Sequence, residues 1–293
     1  MADPTGTEAD EHGRMVKDLA MTPRDARSLN LYKETKNLDQ IGEFTAIEAL
    51  HVREIKPAEF EAMLKGMPNL RELSIYGTRI EDLQAIASLP LQSLRLVWAH
   101  KITSLEPLAM LDRLETLAIG DLKQVSDFSP LSQCANLTTL DIEAGMWAAQ
   151  AVGSLGFLKA MPQLRELSLQ QLKIGDGDVT PICSLTNLET LSLPTRYPVR
   201  EYARMSVCLP GTQCEQFASH VTFKVQTMGQ PGNEAQWTTG EHGVLVGKPS
   251  TGFDCADPKA EQLIAKRAAL LEKWREYYRS LDDPASDKRE KLS

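Results

Sequence analysis

Residues 114–142, LETLAIGDLKQVSDFSPLSQCANLTTLDI, hold two copies of one pattern, Leu114-Leu117-Ile119 and Leu137-Leu140-Ile142, 23 residues apart. Outward from this stretch the same Leu-x-x-Leu-x-Leu/Ile spacing recurs at Leu70-Leu73-Ile75 and Leu91-Leu94-Leu96 before it, and at Leu164-Leu167-Leu169 and Leu188-Leu191-Leu193 after it. The six starts are 21, 23, 23, 27 and 24 residues apart. Two weaker copies extend the register upstream, Ile47-Leu50-Val52 and Ala26-Leu29-Leu31, at spacings of 23 and 21. A period of this length marks a repeat protein in which each unit is a short parallel strand plus a return segment. One such unit cannot bury its own apolar edge, so stacked neighbours must build the core together. Pro107, Pro130 and Pro181 stand seven residues before the next strand motif. Proline suits the first turn of a helix, where its missing N–H removes nothing. The return segments are therefore expected as short helical or 3₁₀ turns.

The units resemble the short bacterial leucine-rich repeats of internalin-like proteins, over roughly residues 26–195. The resemblance implies an α/β repeat solenoid, a leucine-rich repeat horseshoe with a parallel concave sheet. The chain departs from that pattern at the asparagine that usually follows the strand and bonds neighbouring turns. Thr78, Ala99, Leu122, Gly145, Leu172 and Arg196 stand there instead, which points to backbone groups or threonine as substitutes. Many bacterial effectors with such repeats carry an enzyme, such as a ubiquitin ligase, after the array; none of its motifs stands in this chain.

The domain reading follows from where the period holds. Residues 1–20 are polar and acidic and read as a disordered leader; 21–195 form the repeat array; 282–293 read as a disordered tail. Between them, residues 196–281 read as a C-terminal cap, built from a β-hairpin and a helix, or as a small α+β module. The end of a solenoid exposes an apolar layer and requires such a cap. "HVTFKVQ", "EAQWTT" and "GVLVGK" have strand composition, and "GEHG" between the last two reads as a hairpin turn. Residues 257–281 read as a helix with Asp257 as N-cap and Pro258 at its first position. Leu263, Leu270, Trp274, Tyr277 and Leu281 form its apolar stripe, widened by Ile264, Leu271 and Tyr278.

A net charge of −8 argues against nucleic acid as the main partner, because phosphate binding needs concentrated Lys and Arg. The first residues carry no basic and apolar signal segment, and no apolar run is long enough to span a bilayer, so no membrane partner is expected and the default location is cytoplasmic. The five cysteines are spread out. Cys134 and Cys183, in return segments, read as buried free thiols. Cys208, Cys214 and Cys255, with His220 and His242, lack the tight Cys-x2-Cys spacing of a zinc site, so no metal or cofactor is assigned. No phosphate-cradling loop, metalloprotease or nucleophile-elbow string occurs, and the chain reads as a non-enzyme.

Binding is expected on the open strand face. With motif places numbered from the first leucine, places four and six point into the core, while three, five and seven alternate outward. The seventh places read Tyr32, Arg53, Tyr76, Val97, Gly120, Glu143, Gln170 and Pro194; the fifth include His51, Ser74, Arg95, Ala118 and Asp141. Tyr32, Arg53, Tyr76 and Arg95 cluster in the first half, with Trp98 just past a strand end. Tyr, Trp and Arg most often carry interface energy. Asp141 and Glu143 form an acidic spot, followed by Trp147 on a 27-residue unit expected to bear a true helix. Gly120 and Ala118 would leave room for a protruding partner.

Two functions follow as expectations. The first is a non-catalytic scaffold that binds a protein of unknown identity through the concave face, in one version an inhibitor or immunity-type protein. The alternative is a secreted bacterial effector, delivered without an N-terminal signal, with targeting repeats and an active C-terminal module.

Overall fold

The structure is a computed structural model and describes residues 15–65, 67–145, 149–228 and 237–286. The chain divides into two compact units, residues 1–178 and 179–293.

In the first unit the strands are β1 (Ser28–Tyr32), β2 (Ala49–Arg53), β3 (Glu72–Tyr76), β4 (Ser93–Val97), β5 (Thr116–Gly120), β6 (Thr139–Glu143), β7 (Gln150–Val152), β8 (Glu166–Gln170) and β9 (Leu172–Ile174). β1 to β6 and then β8 pair in parallel and in chain order. The register places Leu50 beside Leu73, Leu94 beside Leu117 and Leu140 beside Leu167. Equivalent motif places thus stack without slippage, in the two weak upstream copies as in the clear ones. Leu50, Leu73, Leu94, Leu117, Leu140 and Leu167 are buried, as are their sixth-place partners from Val52 to Leu169. The first unit is the α/β leucine-rich repeat solenoid that the spacing implies.

The return segments are mostly 3₁₀. Pro107 and Pro130 stand at the start of the turns Glu106–Met110 and Ser129–Gln133. One return is a true helix, α1 (Pro57–Leu64), which buries Phe60, Met63 and Leu64. The helix expected in the 27-residue unit does not form among the described residues. Residues 150–152 instead make β7, paired in parallel with β9, and Gly156–Ala160 is a 3₁₀ turn. Order also begins earlier than the expected end of the leader: the Val16 N–H donates to the Asn30 carbonyl at 2.9 Å, and Leu19 is fully buried.

The left-out asparagine is replaced by backbone. Glu54, Gly77, Trp98, Asp121 and Gln171, each one residue past a strand, take the left-handed conformation at φ 53° to 65°. In that pose the N–H groups of Glu54, Gly77 and Trp98 each donate at 2.9 Å to the last carbonyl of the following strand, on Tyr76, Val97 and Gly120. Asp121 does the same to Glu143 at 3.2 Å. Threonine is not the substitute, since the buried Thr78 hydroxyl has no hydrogen-bond partner among the described residues. A glutamine is. Gln150 is buried; its Oε1 accepts from Leu122 N at 2.8 Å, and its Nε2 donates to the Leu122 and Val125 carbonyls at 3.1 and 2.8 Å.

The second unit starts inside the last repeat, ahead of the boundary expected at residue 195. It holds the 3₁₀ turn Thr180–Ser184, β10 (Thr190–Ser192), α2 (Val199–Cys208), β11 (His220–Met228), β12 (Trp237–Leu245), β13 (Gly252–Asp254) and α3 (Ala260–Arg279). The free edge of β10 is covered within this unit. Leu191 N donates to the Gln213 carbonyl at 2.9 Å, Gln213 N to the Glu189 carbonyl at 2.8 Å, and the Thr212 hydroxyl to the Leu188 carbonyl at 2.7 Å. α2, which no sequence signal announced, buries Val199, Tyr202, Ala203 and Met205.

β11, β12 and β13 form an antiparallel sheet. The expected "GEHG" turn is not a turn: Gly240 to Gly243 lie inside β12, opposite Val225 to Thr222. Gly243 serves packing instead. A β-carbon there would lie 2.3 Å from the Phe253 ring, so glycine lets that ring sit on the strand. α3 begins at Ala260, two residues later than Pro258 suggests, while Asp257 Oδ1 accepts from Lys259 N at 2.9 Å just before it. Its buried residues are Ala260, Leu271 and Tyr278, whereas Leu270 is exposed. The helix therefore packs on the edge of the expected stripe, because Arg267 and Arg275 on that side reach backbone carbonyls.

Candidate interaction surface

Register fixes the open face of the first unit. Tyr32, Arg53, Tyr76, Val97, Gly120, Glu143 and Gln170 form one row across neighbouring strands. Asn30, His51, Ser74, Arg95, Ala118, Asp141 and Ser168 form the row beside it. Of the expected anchors, the structure joins three tightly. The Arg53 guanidinium lies over the Tyr76 ring at 4.8 Å, and Tyr76 packs on Trp98 with ring centroids 4.7 Å apart and planes tilted by 49°. Such a stack desolvates little by itself and leaves aromatic surface for a partner; Trp98 remains 43% exposed. Tyr32 continues the row next to Arg53, half-buried. Arg95 stands apart in the second row, between Ser74 and Ala118.

Trp98 is held at a conformational cost. A bulky side chain at φ 55° costs about 1–2 kcal/mol over the right-handed form. The same backbone turn points its ring outward and places it on Tyr76. The repeat ladder accounts for this conformation, since Glu54, Asp121 and Gln171 adopt it at the equivalent places.

The acidic spot is present and electrostatically loaded. Burial, and then the neighbouring Asp141 carboxylate, push Glu143 above the ordinary carboxylate range, while Arg95 works the other way. One oxygen of Asp141, Oδ1, is buried without a hydrogen-bond partner among the described residues. The expected gap over Gly120 is filled, however. Gly120 is buried, and a β-carbon there would touch Val97 at 3.4 Å and Glu143 Oε1 at 3.6 Å. Asn30 and Ser74, in the row of His51 and Arg95, are also buried. Trp147 lies outside the described residues.

His100 and Asp121 form a pair that sequence order did not suggest, with Nε2 3.1 Å from Oδ2. Gly145 makes room for it, since a β-carbon there would lie 2.8 Å from Asp121 Oδ2. In the second unit, His220 lies against Phe253 and His242 against Phe223. Among the described residues no group of three or more His, Cys, Asp or Glu is placed to hold a metal ion. Burial pushes the Cys134 and Cys214 thiols up to about 11, which leaves them protonated and unreactive at neutral pH. The Cys208 thiol is lowered instead, first by a hydrogen bond from Cys183 and then by Arg204, while burial opposes. That pairing joins two cysteines 25 residues apart. No helix among the described residues is long and apolar enough to cross a membrane.

The fold and surface define a leucine-rich repeat solenoid whose open strand face carries a mixed aromatic, cationic and acidic set. No family model and no curated protein matches the chain. Solved structures similar to it include an internalin from Listeria monocytogenes, 17% identical with a TM-score of 0.47, covering 65% of this chain and 66% of that one. A leucine-rich repeat protein of Leptospira interrogans is 16% identical with a TM-score of 0.43, covering 69% and 57%. TLR13, solved in complex with single-stranded RNA, is 16% identical with a TM-score of 0.49, covering 65% of this chain and 28% of that one.

Proposed function

We propose that this chain is a non-catalytic interaction scaffold that binds a protein through the open strand face of its repeats. The observation that carries this reading is the Arg53–Tyr76–Trp98 stack, which runs over three consecutive repeats and leaves Trp98 exposed. The neighbouring acidic pair, Asp141 and Glu143, gives the same face a second, opposite charge. A partner would then be fixed in orientation as well as bound, because each half of the face repels the wrong match. Within this class, an inhibitor or immunity-type protein acting in the cytoplasm fits a net charge of −8 and five free cysteines.

The test is affinity capture with the full chain, followed by calorimetry on the captured partner. Tyr76→Ala and Arg95→Ala should each cost about 2 kcal/mol of binding or more, as central anchors do, with melting temperatures close to wild type. Full affinity in both variants, with binding lost only on changing β11 and β12, would move the site to the second unit and overturn the reading.

A further inference from the structure

The left-handed column Glu54, Gly77, Trp98 and Asp121 has one place without a side chain, Gly77. Gly77 is among the residues that line a cleft of about 420 Å³. Its lining includes Tyr76, Trp98, Gly77, Pro57, Lys56 and Arg79. Clefts that hold ligands run from roughly 300 to 1,000 Å³, so this one suits a short stretch of extended chain.

The local charge is opposite to that of the chain as a whole. Arg79 is exposed and forms no ion pair among the described residues. Lys56 meets Glu59 at 3.3 Å, but its own side chain is 78% exposed, so the pair holds the ammonium weakly. Glu54, the carboxylate on the lining, is already neutralised by Lys33. What remains is cationic capacity beside an aromatic wall. The wall does not form a slot for a nucleobase: Arg53 covers Tyr76, and the two rings are tilted at 49° rather than parallel.

We infer that this cleft takes an acidic segment of a protein partner, with a carboxylate between Lys56 and Arg79 and the adjoining apolar side chain against Trp98. The inference rests on the interaction reading above and gives it a chemistry. Guanidinium and carboxylate match as a two-pronged pair, which Lys56 alone would not supply.

The test uses the full chain, labelled with ¹⁵N, and the blocked pentapeptide Gly-Phe-Glu-Asp-Gly. The peptide should shift the Trp98 indole and Arg79 Nε–H resonances at millimolar concentration. A Gly-Phe-Gln-Asn-Gly control should bind several-fold more weakly. Arg79→Gln and Lys56→Gln should each weaken the acidic peptide about two- to fivefold, the range of exposed ion pairs. Both side chains are exposed, so these variants fold. Equal binding of the two peptides, or no shift at either resonance, would overturn the inference. Shifts caused by uridine monophosphate and not by the peptide would replace it with nucleotide binding. Arg95→Ala separates the two ideas: a captured partner that needs Arg95 but not Arg79 upholds the face and removes the cleft.

Discussion

In the first unit the carbonyls of Arg27, Glu48, Arg71, Gln92, Glu115 and Thr138 each accept two N–H groups from the next repeat. In the second unit backbone links of this kind, such as Gly247 N to the Thr195 carbonyl at 2.7 Å, are joined by links from single side chains. Arg267 donates to the carbonyls of Val246, Gly247 and Pro249 at 2.7–2.9 Å. Arg275 reaches Phe217 O at 2.5 Å and Ser206 Oγ at 2.9 Å, and Arg204 reaches the Tyr278 hydroxyl at 3.0 Å while lying over that ring. The first arrangement re-uses backbone groups that every residue has, so its outward side chains are free to vary. The second adds particular side chains that hold loops and helices.

The contrast breaks most readily in the repeat core. Leu117 is fully buried in mid-array, and Leu117→Ala should cost on the order of 2–5 kcal/mol, part of it from the cavity left behind. Denaturant unfolding checks this; an unchanged midpoint would show that the repeats do not share one core. A smaller loss is expected from Arg267→Lys. An ammonium cannot span three carbonyls as a guanidinium does, and charged hydrogen bonds contribute about 1.5–3 kcal/mol. The loss should appear in hydrogen exchange of residues 244–250 while β3 to β5 keep their protection. Equal weakening of both units would erase the distinction between them.

The smallest effect concerns the surface. Glu143 is raised in the folded chain, so it binds protons more readily there than in the unfolded chain. Its contribution is therefore fully present below the unfolded value of about 4.3 and is lost as pH rises through the folded value. Glu143→Gln should match wild type near pH 4 and be slightly more stable at pH 7, by about 0.5 kcal/mol or less for a part-exposed group. Thermal melts across that range test the sign; a variant that is less stable at pH 7 would mean that Arg95 outweighs burial and Asp141.

The surface was legible only in part. Alternation alone put Arg53, Tyr76 and Glu143 outward and into one row, because a strand's side-chain period is two. That Tyr76 packs on Trp98 depended on a left-handed residue whose φ no local motif specifies. The cover over Gly120 and the pairing of Cys183 with Cys208 likewise depend on neighbours distant in sequence.

From sequence alone came the period, the parallel order, the buried fourth and sixth places and the proline-started returns. These follow from a pattern repeated eight times, in which each copy tests the others. Tertiary structure alone decided the Gln150 bridge and the Tyr76–Trp98 cleft in the first unit, and in the second unit α2, the face of α3 and the purpose of Gly243. Each of these turns on one contact made once: a ring over a glycine, an amide in a loop, a guanidinium among carbonyls. A contact made once leaves no periodicity to read.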